Sequence, residues 1–173
     1  YTPTTSLDAH FRLIQDASKA LKHNTEVKVF IGSAETPAQL RLLGTEKIKQ
    51  GENAFIQLKL DHPIIAARGD HYVLRLPSPA ETIGGGVIID PHPARFYRRF
   101  DEDNLNRLQE LYAGNESDLV VQALRGLGIA TGSEIVQKSG LSEENVKNII
   151  QNLIAEDRLF VLRASSSLSK SRF

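Results

Sequence analysis

A chain of 173 residues has room for one ordinary domain or two small ones. Its 21 basic and 21 acidic side chains balance, so no global field draws it to nucleic acid or to a membrane, and any RNA contact must come from a local patch. Cysteine is absent, which excludes disulfides and thiolate metal sites, and no apolar run approaches membrane-spanning length.

The first half is dominated by period-two alternation. Residues 7–13 put Leu7, Ala9, Phe11 and Leu13 on one side of a strand. Residues 15–23 are polar and read as a loop with a weak basic cluster at Lys19, Lys22 and His23. Residues 25–31 bury Val27, Val29 and Ile31 before a turn at Gly32-Ser33. Ala38, Leu40 and Leu42 define a third strand, entered through Pro37. Ala54, Ile56, Leu58 and Leu60 define a fourth, which Asp61-His62-Pro63 ends. Residues 71–76 alternate again, with Tyr72, Leu74 and Leu76 on one face. Pro77-Ser78-Pro79 makes the next turn, because proline has no N–H to give to a ladder. Val87-Ile88-Ile89 is β-branched throughout and reads as a buried strand. Before it, Gly84, Gly85 and Gly86 predict a bulge, a positive φ or close approach of another backbone. They are not a phosphate loop, since no GxxxxGK[ST] surrounds them and a strand follows. About six short strands, each with one apolar face, predict a closed antiparallel barrel or sandwich.

After Pro93 the period changes. Leu105, Leu108 and Leu111 predict a helix over 101–113, stopped by Gly114-Asn115. Ser117 caps a second helix carrying Leu119, Val120, Ala123 and Leu124. Thr131 with Glu134 matches a capping box for a short third helix, ending at Ser139-Gly140. Ser142 introduces a longer one with Val146, Ile149, Ile150, Leu153 and Ile154 on one face, and residues 158–162 alternate as a strand. That order is the order of a winged helix. The expected division is a barrel at 1–91, a basic linker and connecting helix at 92–116, a winged helix at 117–163 and a disordered serine-rich tail at 164–173. The missing methionine, absent even at position 1, makes the chain read as a processed or excised piece of a longer product.

Little in the sequence carries reaction chemistry. His10, His23, His62, His71 and His92 lack metal-ligand spacing, and Asp61 and Asp70 read as turn formers rather than general acids. The expectation is a binding module with no catalytic residues and no metal. The second long helix opens with Glu143-Glu144, which suits the helix dipole but repels a phosphate backbone, so specific binding of duplex DNA is not expected. The segment RFYRR, with Arg95, Arg98 and Arg99, has two readings: a linker whose aromatics pack between domains, or an RNA-facing patch of guanidinium and aromatic groups.

Three stretches carry a family resemblance: KHNTEVKVFIGSAETPAQLRLL (22–43), PIIAARGDHYVLR (63–75) and TIGGGVIIDP (82–91). They resemble the third domain of elongation factor Tu and its relatives. The TIGGG turn followed by Val-Ile-Ile-Asp-Pro is most similar to the bacterial selenocysteine-specific elongation factors. A winged helix directly after the barrel points the same way, since elongation factor Tu itself stops there. The resemblance implies a six-stranded barrel facing the T stem of aminoacyl-tRNA, and a cytoplasmic parent that uses GTP and magnesium to deliver selenocysteyl-tRNA to the ribosome. Further winged helices of that parent would grip the selenocysteine-insertion mRNA hairpin. No cofactor is expected in the present residues, which contain neither the phosphate loop nor the NKxD of the GTPase domain. By position, the resemblance assigns tRNA contact to His62, to the turn Gly32-Ser33 and to the turn Ser78-Pro79, all at one end of the barrel. His62 and Ser78 replace a lysine and a glycine of elongation factor Tu at these places. A DNA-binding regulator with a barrel sensor domain, and a scaffold without RNA contact, are the rival readings.

Overall fold

A computed structural model describes residues 2–160, 162–163 and 171–172. The strands of the first half are β1 (Thr4–Leu13), β2 (Leu21–Lys22), β3 (Thr25–Ile31), β4 (Ala34–Leu43), β5 (Lys47–Ile48), β6 (Asn53–Ile64), β7 (His71–Pro77) and β8 (Ala80–Asp90). Six of them close an antiparallel barrel in the order β1-β6-β4-β3-β7-β8, while β2 and β5 pair separately. The expected barrel is therefore present. The alternating apolar residues point inward as their spacing demands: Leu7, Phe11, Leu13, Val29, Leu40, Leu42, Ile56, Leu58 and Leu74 are all fully buried in one core. Leu21 and Ile48, from the short β2–β5 ladder, join that core, so the loop expected over 15–23 holds a short strand.

Two further details of the barrel strands depart from the sequence expectation. Pro37 lies inside β4 rather than before it, opposite Lys28 of β3; the pairing of β4 with β6 begins only at Ala38, so the missing N–H breaks no bond on that side. Asp61-His62-Pro63 does not end β6, which runs on to Ile64. The register against β1 jumps from Ser6↔Lys59 to Thr4↔Ile64, so these residues bulge out of the ladder, and the His62 N–H bonds instead to Thr36 Oγ1 at 3.1 Å.

The glycine run resolves as close approach. β8 lies between β1 and β7, and a Cβ on Gly84, Gly85 or Gly86 would run into the backbone carbonyls of Arg12, Tyr72 and His10 respectively. Ile83 is the extra residue of a bulge against β7, where the partner of Leu74 is Gly84 and that of Arg75 is Thr82.

The chain forms two compact units, Tyr1–Tyr112 and Ala113–Phe173. Residues 92–112 thus fall within the first unit. Leu108 packs with Leu43 and Ile89 in a small second core on the outside of the barrel, joined by the half-buried Phe55, Leu105, Leu111 and Tyr112. These helical residues belong to α1 (Glu102–Leu127), which runs unbroken through Gly114-Asn115. The expected stop fails because a mid-helix glycine costs only about 1 kcal/mol, less than the burial anchoring the turns on either side.

In the second unit, α2 (Gly132–Ser139) opens with the Thr131–Glu134 capping box and closes on Gly140 in the left-handed region. The helix α3 (Glu143–Ala155) is capped by Ser142 and buries Val146, Ile150 and Leu153 against Val120, Ala123 and Ile135. Two short strands, β9 (Leu162–Arg163) and β10 (Ser171–Arg172), pair antiparallel after the helices, giving a winged-helix-like order. The strand expected over 158–162 is irregular at 158–160, and position 161 lies outside the described residues. Of the tail expected to be disordered, 164–170 and 173 lie outside the described residues, whereas Ser171–Arg172 is paired.

Candidate nucleic-acid interface

The two hairpin turns assigned to one surface lie at opposite ends of the barrel. β3 and β7 are antiparallel neighbours, with Lys28 facing Arg75 and Phe30 facing Val73. The turn that follows β3, Gly32-Ser33, therefore sits at the end where β7 begins. Ser78-Pro79 follows β7 and sits at the other end. His62 stays with Gly32-Ser33, since β6 runs parallel in sense to β3 and its bulge reaches Thr36 at the start of β4. Around that β3–β4 end lies an open concavity of about 710 Å³ lined in part by Gly32, Ser33, Pro63, Asp70 and His71. Gly32 has φ +56°, which the tight turn requires, and Ile65 beside the concavity is 55% exposed. At the β7–β8 end, the cis Ser78-Pro79 turn is exposed, and Glu81 accepts hydrogen bonds from Ser18 N and Oγ at 2.8 and 2.6 Å. Those bonds hold the Glu81 carboxyl below its usual range.

The segment RFYRR packs along the barrel wall. Its frame is Gln57, a fully buried outward residue of β6, whose amide donates to the Arg95 carbonyl at 2.9 Å and accepts from the Tyr97 N–H at 3.2 Å. Arg41 of β4 donates to the Tyr97 carbonyl at 3.0 Å. Arg99 turns inward and donates to the carbonyls of Thr45 and Glu46, so it is occupied structurally. Arg95 and Arg98 are exposed, and Arg95 lies 5.2 Å from the Tyr97 ring. Phe96 is 48% exposed and carries the guanidinium of Arg41 at 5.3 Å and the ammonium of Lys59 at 6.0 Å. Arg41 and Lys59 are cationic neighbours that sequence reasoning missed. The only signal for them is their outward position in two alternating strands, far in sequence from RFYRR.

A second polar cluster binds this region to α1. Asp8 is fully buried and accepts from Arg107 at 2.6 Å and from Gln57 at 2.8 Å, while Arg107 also reaches Asp90 at 3.0 Å. Burial pushes the Asp8 carboxyl up to about 6 despite the Arg107 guanidinium. His10, stacked on Tyr112 at 4.2 Å, is pushed down to about 4 by burial.

Among the described residues no group of three or more His, Asp or Glu could hold a metal ion, and no single helix is long and apolar enough to cross a membrane. The first turn of α3 presents Glu143 and Glu144, both exposed.

The family model for the β-barrel domain of selenocysteine-specific elongation factor matches residues 8–95, just over half of the 173. A selenocysteine-specific elongation factor from Desulfomicrobium baculatum is 33% identical over 135 residues, 77% of this chain. The chain spans 21% of that relative's length. With its closed six-stranded barrel and the helices that follow, this chain belongs to the selenocysteine-specific elongation factor family.

Proposed function

We propose that these residues are the part of a cytoplasmic translational GTPase that helps hold selenocysteyl-tRNA for delivery to the ribosome. They would stand between its GTPase portion and the winged helices that engage the selenocysteine-insertion mRNA hairpin. GTP and magnesium would act in the GTPase portion alone. The observation that carries the reading is the match of residues 8–95 to the barrel of this family. Of the assigned contacts, we favour the β3–β4 end, Gly32, Ser33 and His62, as the tRNA surface. The Gly32 and Ser33 amides, in the turn outside the Ile31–Ala34 pair, and the side chain of His62, whose backbone N–H is given to Thr36, suit phosphate and 2′-hydroxyl oxygens, through which RNA helices are mainly read. Ser78 and Pro79, at the opposite end, are the alternative tRNA contact, and the exposed Arg95 and Arg98 add positive charge elsewhere on the wall.

The test is to add selenocysteine tRNA to the isotopically labelled chain and follow its amide resonances. Shifts at Gly32, Ser33 and His62 with none at Ser78 are expected, and His62→Glu should weaken binding by about 1–2 kcal/mol, the scale of an opposed charge-assisted contact. Shifts at Ser78 alone move the surface to the other end. No shift at either turn in low salt removes the barrel from tRNA binding.

A further inference from the structure

We propose that segment 95–101, together with Lys59 of the barrel wall, binds an unpaired RNA nucleotide whose base stacks on Phe96 and whose flanking phosphates meet Lys59, Arg95 and Arg98. The proposal rests on the RNA-binding reading above, but it names a different surface and a different RNA conformation.

Three observations carry it. First, the segment surrounds a concavity of about 710 Å³ lined by Arg95 to Asp101 in succession, with the rings of Phe96 and Phe100 left 48% and 55% exposed at its rim. Two large, partly exposed aromatics lining one concavity form the kind of apolar surface that marks a binding site. Second, the frame is rigid. Gln57 and Arg41 hold the backbone at positions 95 and 97 from the barrel wall, the Arg99 side chain reaches back to the Thr45 and Glu46 carbonyls, and the Gly44 N–H closes the frame on the Arg99 carbonyl. A ligand therefore meets a pre-ordered backbone and loses little of its affinity to ordering the segment. Third, the cations have no carboxylate partners. Among the described residues, Lys59, Arg95 and Arg98 form no ion pair. Asp8 and Asp90 are held by Arg107, and Asp101, the one acid in the lining, accepts from Asn104 N at the start of α1. Asp61, two residues on from Lys59 in β6, is exposed and makes no ion pair among the described residues.

Cations alone would suit any polyanion. Cations set around exposed aromatic faces match the alternation of phosphate and base in a nucleic-acid strand. Both cations on Phe96, Arg41 and Lys59, come from the barrel wall, which leaves the exposed part of the ring for the ligand. A duplex keeps its bases in its own stack, so the ring selects an unpaired nucleotide. An acidic peptide would use the charges and leave the rings uncovered.

The experiment uses the whole chain and fluorescence anisotropy with three probes: a short oligouridylate, a blunt RNA duplex and oligoglutamate. The wild type should prefer the single strand. Phe96→Leu should lower its affinity for oligouridylate roughly tenfold and leave the duplex unchanged, while Phe96→Tyr restores binding. Lys59→Gln should flatten the dependence of log affinity on log salt by about 0.7. Circular dichroism melts show whether each variant is folded; Phe96 and Lys59 are both exposed side chains, so their replacement leaves the core intact. Equal oligouridylate binding by Phe96→Leu and wild type, equal loss on duplex and single strand, or tighter binding of oligoglutamate each overturns the proposal. None of these outcomes touches the amide shifts expected at Gly32, Ser33 and His62, so the two readings fail separately.

Discussion

Asp8 and His10 are two residues apart on the outer side of β1, and burial moves their protonation in opposite senses. His10 is held at about 4, below its ordinary 6.5, so the unfolded chain binds a proton between those values and the folded chain does not. Its contribution to stability is full above pH 6.5 and is lost as pH falls towards 4. Asp8 is held at about 6, above its ordinary 3.8, so the folded chain binds the extra proton and stability from this group rises as pH falls through 6. The two slopes oppose each other over the same window. His10→Phe keeps a ring on Tyr112 and removes only the first slope. The variant should therefore gain stability relative to wild type as pH is lowered from 6.5 to 4, read as the difference in melting temperature at each pH. A constant difference across that range would show that His10 is not held neutral.

At the scale of elements, the first turns of α1 are tied to the barrel by Arg107, which bridges Asp8 of β1 and Asp90 at the end of β8. Removing the guanidinium would leave Asp8, fully buried, without its countercharge. Arg107→Ala should destabilise the first unit by about 2–3 kcal/mol, less than a fully enclosed pair because Arg107 is a third exposed. Denaturant unfolding followed by tyrosine fluorescence measures it, and Asp8→Asn in the same background should recover part of the loss. The continuity of α1 has a similar origin. Gly114 carries the propensity of a stop, but Leu108 before it and Val120 after it are both fully buried, and that burial outweighs the local preference.

For the molecule as a whole, the equal number of acids and bases means that any nucleic-acid affinity is local and modest in salt dependence. The 173 residues also contain no phosphate loop, and calorimetric titration with GTP and magnesium should show no saturable heat. Micromolar binding would overturn that expectation. The six barrel strands, the barrel and the capping box at Thr131 were legible because alternation, turn residues and caps are local physics, written within a few neighbouring residues. Even the separation of the two turns was latent in the sequence. Successive barrel strands reverse direction, so the turn after β3 and the one after β7 must fall at opposite ends, although position-by-position resemblance grouped them. What the sequence could not supply is proximity across strand order. That Gln57 holds the backbone of Arg95 and Tyr97, that Arg41 and Lys59 gather on Phe96, and that Arg107 answers Asp8 99 residues away all depend on how the barrel closes. Closure is a collective result of β1 pairing with both β6 and β8, and no local pattern encodes which outward side chains it brings together.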